Sequence, residues 1–411
     1  MSQHTTSTDV DVAVIGGGAF GTSIAFHLAR DTDLSVRVIE RFGVSEGTTW
    51  HSAGMVGQLR SKDPIMQVIR HSAALYASLE EGTPGLLDFR RVGSLRIATT
   101  PIRVAEMTEQ VAQARALGID AEMIAPDRIA EIVPTLDTDQ ILAACWIASD
   151  GYVDPEQLAV GLAQRAVELG AQISTGTTVT ALTRTDEGHW VIETDGGTVT
   201  AAQVVLAGGM HTTVLARQAG AFVPLLCSRQ QLIYSNPIDP EVAGYPTVRE
   251  PDESMIMRAS GDRLVVGSYV EDPEFDVVDD VPVTARYLFE PEFDRMIPAW
   301  DACVRRFPVL AEVGVDRVIK GPEGVTPDGE IIMAPAGPEG LWIAAGGSGH
   351  GIASAGGVGW VMSTWLATGT PPIDVTDFAL DRFPASFETD PEAMLAETRL
   401  HEIGRYALVT E

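Results

Sequence analysis

The sequence has little cysteine and no long hydrophobic run. Its 411 residues include three widely spaced cysteines, Cys145, Cys227 and Cys303. Isolated thiols of this kind form neither a disulfide framework nor a metal motif, which is typical of a reducing compartment. No apolar stretch reaches the ~18 residues of a membrane span, and residues 1–9 are polar, unlike a secretory signal. These absences predict a cytoplasmic protein with neither a bound metal nor a membrane partner.

Positive charge is also scarce. The chain has 28 Lys and Arg against 57 Asp and Glu, so its formal net charge is −29. A field of this sign argues against nucleic acid or an anionic membrane surface as a partner. It could attract cationic amines, although solubility alone explains the acidity more simply. The length suggests two or three domains with ample material for a core.

What the sequence does contain, near its start, is a glycine-rich phosphate-binding turn. Residues 11–15 are a short apolar run, as expected of a buried parallel strand, and a helix is predicted over 19–29. Gly16, Gly18 and Gly21 occupy the GxGxxG positions. Such glycines allow a tight turn, let the backbone approach a pyrophosphate and let the helix pack on the strand. The helix N-terminus then faces the phosphates.

An acidic residue completes this dinucleotide-binding pattern. A second predicted strand, over 36–39, is followed by Glu40, which lies 19 residues after Gly21. At this spacing the fold needs an acid for a ribose hydroxyl, and an acid disfavours the 2′-phosphate of NADP. The pattern therefore predicts a bound dinucleotide and leaves FAD and NAD open.

The next segment is a glycine-flanked loop that contains a histidine. Residues 47–54 read G-T-T-W-H-S-A-G, with the histidine at position 51. With this loop in view, the chain resembles the D-amino acid oxidase superfamily of flavoproteins, and within it the dimethylglycine/sarcosine dehydrogenase group. That group carries a T-W-H-A-A-G segment whose histidine is bonded to the 8α-methyl group of FAD. The resemblance implies FAD bonded covalently to His51; a histidine that packs beside the flavin without a bond is the alternative.

Later segments extend the resemblance over nearly the whole chain. D-G-Y-V-D-P at 150–155, V-V-L-A-G-G at 204–209 and L-W-I-A-A-G-G-S-G-H-G at 341–351 are similar to superfamily segments around the nucleotide. A-G-G-V-G at 355–359 and G-T-P-P-I-D at 369–374 are similar to the end of the flavin domain in the dimethylglycine/sarcosine group. Three separate glycine-rich strand ends favour FAD over NAD. In the superfamily, the helix after the third faces the flavin N1/C2 carbonyl region, where its positive end would stabilise the reduced flavin.

The predicted FAD site draws on all of these turns. Under the resemblance, small side chains and backbone amides surround the dinucleotide. His350 lies near the flavin, where it either contacts flavin or substrate or only caps its turn. The predicted residues are Gly16, Gly18, Ala19, Phe20, Gly21, Glu40, Arg41, Gly47, Thr48, Thr49, His51, Ser52, Ala53, Gly54, Met55, Val179, Ala207, Gly208, Gly209, Gly346, Gly347, Ser348, Gly349, His350, Gly351 and Ile352.

The resemblance implies an α/β fold with an α+β substrate region. A Rossmann-like FAD-binding domain, made of residues 9–90, 145–223 and 321–376, is interleaved with a substrate domain, made of 91–144 and 224–320. The substrate domain is expected to hold a mixed or antiparallel sheet, with strands over 94–98, 230–234, 255–259 and 264–269 and a helix over 104–117. Residues 377–411 form a C-terminal extension.

The chemistry implied is oxidation of a secondary or tertiary amine, such as an N-methyl amino acid. A hydride passes from the carbon next to the amine nitrogen to flavin N5, and water hydrolyses the iminium product. Oxygen or an electron-transfer protein is the oxidant. The alternatives are a D-amino acid or glycine oxidase with noncovalent FAD, and a flavin subunit of a larger redox complex.

The place where the sequence stops bears on partners. Larger members of the group continue into a folate-binding domain, whereas this sequence stops at residue 411. If the chain is complete, we expect a stand-alone flavin half. Its partners would be a small amine substrate and either a separate folate-dependent protein or a second copy of the chain.

Candidate substrate contacts come from the second domain. Gln230 occupies the position where close relatives have the histidine of an H-Q-Y string, and Met255 or Ile256 stands where relatives tend to have an aromatic residue. Both departures predict a pocket with less base character and a softer wall, and hence a substrate other than the usual one.

Charged and hydroxyl side chains supply further candidates. Arg229, Arg258 and Arg60 are candidates for binding a substrate carboxylate, because arginine offers a bidentate fork. A salt bridge away from the site is the alternative for Arg229 and Arg258. Tyr269 is a candidate cap of the pocket, with a packed strand tyrosine as the alternative.

Overall fold

The computed structural model of the protein describes residues 9–268 and 272–404. In these ranges no helix combines the length and the apolar character needed to cross a bilayer. The α-helices described are α1 (Ala19–Asp31), α2 (Asp63–Gly82), α3 (Pro101–Ala116), α4 (Pro126–Ile132), α5 (Pro155–Glu168), α6 (Thr212–Gln218), α7 (Ile297–Arg306), α8 (Val309–Val313), α9 (Gly351–Thr368) and α10 (Pro391–Gly404). The β-strands described are β1 (Val10–Ile15), β2 (Val36–Ile39), β3 (Met55–Val56), β4 (Ser94–Ala98), β5 (Ala121–Ile124), β6 (Ala143–Ile147), β7 (Gly151–Tyr152), β8 (Gln172–Ser174), β9 (Val179–Arg184), β10 (Trp190–Thr194), β11 (Gly197–Leu206), β12 (Leu226–Ser235), β13 (Thr247–Glu250), β14 (Met255–Ser260), β15 (Arg263–Ser268), β16 (Phe275–Asp276), β17 (Val315–Val325), β18 (Ile332–Pro335) and β19 (Leu341–Ala345).

The first sheet has a parallel centre. Its order is β18-β19-β11-β1-β2-β8, with β9 and β10 attached to β11. The central strand β1 runs parallel to both β11 and β2. Val12 and Val14 of β1 are fully buried with α1, α2 and α9 on one face, whereas Ala13 and Ile15 join the core on the other. Burial on both faces explains why this strand reads as a continuous apolar run.

Three helices stack at very short range on this sheet. A Cβ placed on Gly357 of α9 would lie 2.2 Å from the Val68 carbonyl oxygen of α2, and one on Gly359 would lie 2.2 Å from Ser23 Oγ of α1. Any side chain would force the helices apart, so only glycine fits at these two positions. The A-G-G-V-G string is therefore a helix-packing motif.

The second sheet is mixed. Its order is β16-β12-β15-β14-β13-β4-β6-β5, with β17 paired to β12. β4 and β13 run parallel, and its other pairs are antiparallel. Helix α7 buries Ala302 and Cys303 against one face, together with Met257 and Val266. The opposite face, over β12 to β15, is turned towards the first sheet.

The interleaved α/β architecture predicted from the sequence is confirmed. The first sheet takes strands from 10–39, 172–206 and 332–345, and the second takes them from 94–147 and 226–325. The substrate domain was predicted to end at residues 144 and 320. β6 and β17 extend beyond these two residues, because both strands remain paired with the second sheet along their length. Helix α3 begins three residues before its predicted start, since Thr100 Oγ1 caps it by accepting from Arg103 N at 3.2 Å. The predicted strand over 264–269 ends at Ser268, and Tyr269 lies outside the described residues.

Two histidines are enclosed where α1, α2 and α9 meet. His27 Nδ1 donates to the Ser23 carbonyl at 2.8 Å, and His71 stacks on Trp360 with ring centroids 4.5 Å apart. Burial lowers the pKa of His27 to about 3 and the pKa of His71 to about 4. Both rings are therefore neutral in the folded protein at pH 7.

We expect acid to unfold the protein through these histidines. Their folded pKa values lie below the ordinary 6.5, so the stability they contribute is complete above pH 6.5 and is lost as pH falls towards 4 and 3. Each group steepens the loss by up to about 1.4 kcal/mol per pH unit. In urea titrations, His27→Leu should lose unfolding free energy less steeply than wild type between pH 6.5 and 4. An unchanged slope in this variant would contradict the assignment.

Candidate functional site

A cavity of about 460 Å³ lies between the two sheets. It opens beyond the carboxyl ends of β1, β2, β11 and β19, which is where open α/β sheets bind ligands. Every residue predicted for the FAD site lines it except Gly21 and Ser348. Those two predictions need correction. Gly21 packs α1 on the turn, since a Cβ there would lie 1.9 Å from the Gly16 carbonyl oxygen, and Ser348 Oγ accepts from Thr326 N at 3.2 Å behind the turn.

The dinucleotide end of the cavity is built from the first turn and Glu40. Gly16 has a φ of 119°, and a Cβ on it would lie 2.3 Å from the Ala207 carbonyl oxygen, so only glycine fits. Glu40 Oε2 accepts from Gly17 N at 2.6 Å and Oε1 accepts from Phe42 N at 2.8 Å. These bonds fix the carboxylate at the cavity edge, as recognition of a ribose hydroxyl requires.

The histidine loop joins the two sheets. Ala19 N, in the first turn of α1, donates to Thr49 Oγ1 at 3.1 Å, and Thr48 Oγ1 donates to the Pro322 carbonyl of β17 at 2.8 Å. His51 ends a short 3-10 turn that starts at Thr49. The loop is therefore fastened on one side to the phosphate-binding helix and on the other to the second sheet.

His51 lies against the backbone of β17. A Cβ on Gly321 would come within 2.3 Å of His51 Cε1, so the glycine leaves room for the ring. The side chain is 6% exposed, and burial lowers its pKa to about 4. Among the described residues, His51 Nε2 has no hydrogen-bond partner. His51 thus lines the cavity as a buried, neutral imidazole whose Nε2 is shielded from water and has no partner among the described residues.

The third glycine-rich turn binds an acidic side chain of β17 that the sequence analysis missed. Gly349 N donates to Glu323 Oε1 at 2.7 Å, at the start of α9. Glu323 lines the cavity and lies two residues after Gly321, which contacts the His51 ring, on β17. Residues two apart in a strand share a face, so Glu323 lies on the same face as Gly321. The sequence could have indicated this role of Glu323 only if the contact of Gly321 with His51 had been known. His350 lines the same turn, with Nδ1 donating to the Ser348 carbonyl at 3.1 Å.

The wall opposite the dinucleotide turns is the inner face of the second sheet. Gln230 and Leu232 of β12 and Ile256 of β14 line the cavity. Gln230 Nε2 donates to Ser228 Oγ at 2.9 Å, which holds the amide in place. This position agrees with the prediction that Gln230 faces the substrate region of the cavity.

Met255 does not reach the site. It is 1% exposed and lies in the core beneath α7. Ile256 lines the cavity instead, because successive residues of a strand point to opposite faces. Tyr269 lies outside the described residues, so its predicted role as a cap stays a prediction.

None of the three predicted carboxylate-binding arginines lines the cavity. Arg229 binds Asp276 through two hydrogen bonds of 2.7 and 2.6 Å, which is the salt-bridge alternative. Arg258 is buried and donates to the carbonyls of Ala53 and Ala259, so it supports the loop after His51. Arg60 Nη1 donates to the Leu59 carbonyl at 2.7 Å.

A strap formed by residues 278–287 lines one side of the cavity and was also missed. Arg286 fastens it: its amide donates to the Glu46 carbonyl at 2.9 Å, and its guanidinium binds Glu156 and lies 5.2 Å from the Trp50 ring centroid. Trp50 precedes His51, so Arg286 attaches the strap to the histidine loop.

Comparison with known proteins agrees with this geometry. Residues 11–365 match the family model described as DAO, FAD dependent oxidoreductase, and the chain belongs to this family. It is 31% identical over 383 residues to mitochondrial dimethylglycine dehydrogenase of Homo sapiens, covering 91% of this chain and 44% of that protein. It is also 31% identical over 377 residues to 4-methylaminobutanoate oxidase (formaldehyde-forming) of Paenarthrobacter nicotinovorans, covering 92% and 46%. The chain thus spans less than half the length of these relatives.

A solved structure shows the same fold. L-proline dehydrogenase from P. horikoshii superposes with a TM-score of 0.81 at 23% identity, covering 92% of this chain and 98% of that one. Because the family is FAD-dependent, FAD is the dinucleotide of this protein. Three features of the cavity fit FAD: the glycine-rich turns, the fixed Glu40 carboxylate and the unpartnered Nε2 of His51.

Gly321→Ala should prevent normal FAD loading. The new methyl group would collide with the His51 ring, and the ring would have to move into the space that the cofactor needs. We expect purified variant protein to hold less than about a tenth of the FAD of wild type, since displacement costs more than about 1.4 kcal/mol. The measurement is the ratio of flavin to protein absorbance. The control is Gly244→Ala, where no atom lies within 4 Å of the added methyl. Equal loading of both variants would contradict the prediction.

Proposed function

We propose that this chain oxidises a secondary or tertiary amine of the N-methyl amino acid class, with release of formaldehyde and the demethylated amine. Two relatives support the substrate class, since they are named for dimethylglycine and for 4-methylaminobutanoate. The observation that carries the proposal is the cavity itself. It unites the dinucleotide turns, His51 and the inner face of the second sheet.

The chain's own residues fit this chemistry. FAD, when bound, accepts a hydride from the carbon beside an amine nitrogen. The nitrogen must lose its proton first, and the apolar surface of Leu232 and Ile256 disfavours the ammonium form. Gln230, held by Ser228, can orient the amine through a hydrogen bond without acting as a base. The strap over residues 278–287 limits entry of water during the transfer.

We also propose that His51 is bonded through Nε2 to the 8α carbon of FAD. Its lowered pKa leaves the ring neutral and nucleophilic, and Nε2 has no partner among the described residues. The bond replaces one hydrogen of the 8α-methyl group and the imidazole proton. The two electrons released leave with the oxidant that serves the amine reaction, which is oxygen or an electron-transfer protein.

The reaction is tested by anaerobic flavin bleaching with purified protein. Sarcosine, dimethylglycine or 4-methylaminobutanoate should bleach the flavin and yield stoichiometric formaldehyde. Glycine and D-alanine serve as comparators, and bleaching by these two alone would contradict the proposal in favour of a primary amino acid oxidase. Admission of air or of a one-electron acceptor then shows which oxidant restores the colour.

The covalent bond is tested by acid precipitation. We expect wild-type protein to give a yellow pellet and His51→Ala to release its flavin into the supernatant. The matched control is His211→Ala, a half-buried histidine that also lines the cavity, and its pellet should stay yellow. A colourless wild-type pellet would disprove the bond and leave the fold assignment intact.

A further inference from the structure

We infer that the strap over residues 278–287 is the outer wall of the dinucleotide site: it lies over the ADP half of FAD and is held there by ion pairs at both of its ends. The strap belongs to the segment between β16 and α7, so it comes from the part of the chain that forms the second sheet. The inference needs the FAD of the family but not the proposed amine oxidation. The strap residues that line the cavity are Val278, Asp279, Pro282, Val283, Thr284 and Tyr287.

One end of the strap is attached to helix α6. Arg217 Nη2 of this helix donates to both carboxylate oxygens of Asp279, at 2.7 and 2.6 Å. Val278 is buried in an apolar cluster with Met210, which lies just before α6, and Val214 of α6 packs against that cluster. Because α6 follows β11 in the chain, this end of the strap is fixed beside the carboxyl end of β11.

The other end of the strap is attached to the histidine loop. Arg286 N donates to the Glu46 carbonyl at 2.9 Å, and the guanidinium lies 3.5 Å from Glu46 Oε1. The same guanidinium binds Glu156 in the first turn of α5 and lies over the Trp50 ring. Because the histidine loop follows β2, this end of the strap is fixed beyond the carboxyl end of β2.

The strand order of the first sheet shows what lies between the two ends. β1 lies between β11 and β2 and is parallel to both. The strap therefore crosses the carboxyl end of β1, where the Gly16 turn leads into α1. Two strand spacings amount to about 10 Å, and the chain from Asp279 to Arg286 can reach about 24 Å when extended. Dinucleotide phosphates bind at such a turn, which places the strap over the ADP half of FAD.

The backbone at Arg286 supports a role for its side chain. Its φ is 53°, in the left-handed region that glycine adopts without strain and that few other residues occupy. An arginine persists in this conformation when its surroundings over-determine it. The contacts with Glu46, Glu156 and Trp50 provide those surroundings. The strap is thus held by side-chain contacts and not by the preference of its own backbone.

Asp279 makes the α6 end of the strap sensitive to charge. Its carboxylate lines the cavity that the phosphates of FAD enter, and Arg217 is paired with it. Without this arginine, the carboxylate would repel the phosphates more strongly. Loss of Arg217 alone should therefore weaken FAD binding more than loss of both charged groups together. A strap that lay away from the phosphates would not produce this order.

The test measures FAD release from protein with His51→Ala, in which no bond to His51 can hold the cofactor. The FAD-loaded protein is diluted, and flavin fluorescence follows the release. Arg286→Gln or Arg217→Gln, added to this background, should speed release about two- to tenfold, as expected for loss of exposed ion pairs. Arg217→Gln combined with Asp279→Asn should release FAD more slowly than Arg217→Gln alone.

Two further variants separate loss of the ion pairs from damage to the fold. Arg286→Gly relieves the left-handed backbone but removes the ion pairs, so it should also release FAD faster than the background. Arg305→Gln breaks an exposed ion pair with Glu253 on the far side of the second sheet's helix α7, and it should release FAD at the background rate. Unchanged release in both Arg286→Gln and Arg217→Gln would overturn the inference.

A second measurement locates the contact on the cofactor. ADP, which carries only one half of FAD, is titrated calorimetrically into the same variants after removal of the flavin. Arg286→Gln and Arg217→Gln should bind ADP about two- to tenfold more weakly than the background, and this result does not require that FAD be retained. Unchanged ADP affinity would overturn the placement over the ADP half. No amine enters either measurement, so failure of every amine to bleach the flavin would overturn the proposed reaction alone.

Discussion

The site depends on two hydrogen bonds made by neighbouring threonines. Thr49 Oγ1 accepts from the first amide of α1, and Thr48 Oγ1 donates to the Pro322 carbonyl on β17. One bond reaches the helix that packs on the dinucleotide-binding sheet, and the other reaches the sheet that forms the opposite wall. The loop between them carries His51, so the distance between the two walls and the position of the histidine are set by the same contacts. Arg258, which binds the Ala53 carbonyl, supports the loop from behind.

Burial gives this junction its chemical character. His51 is buried in its loop against Gly321 of β17, and the neighbouring Trp50 ring lies beneath Arg286 of the strap. Removal from water keeps the imidazole neutral, because the charged form loses more hydration than the neutral form. The same enclosure places Glu323 at the start of α9, where the helix amides would otherwise attract another anion. A single cavity thus holds a neutral imidazole and a fixed carboxylate.

The inner face of the second sheet gives the cavity a partly apolar wall. Leu232 and Ile256 approach each other over Gly267, and all three residues line the cavity. Gln230 and Ile256 lie on this wall, so the two positions at which the sequence departs from the pattern of its relatives both face the cavity.

The sequence by itself determined the dinucleotide turn, Glu40, the histidine loop and the interleaved order of the two sheets. Each of these depends on local spacing: glycines at fixed offsets, strand and helix periods, and one short string around His51. The tertiary structure alone decided which side chains face the cavity. Met255 and Ile256 are adjacent apolar residues, but only the tertiary structure places Ile256 in the cavity and Met255 in the core beneath α7. A shift of one residue reverses the face of every side chain in a strand, and the pairing that sets the register joins residues far apart in the chain.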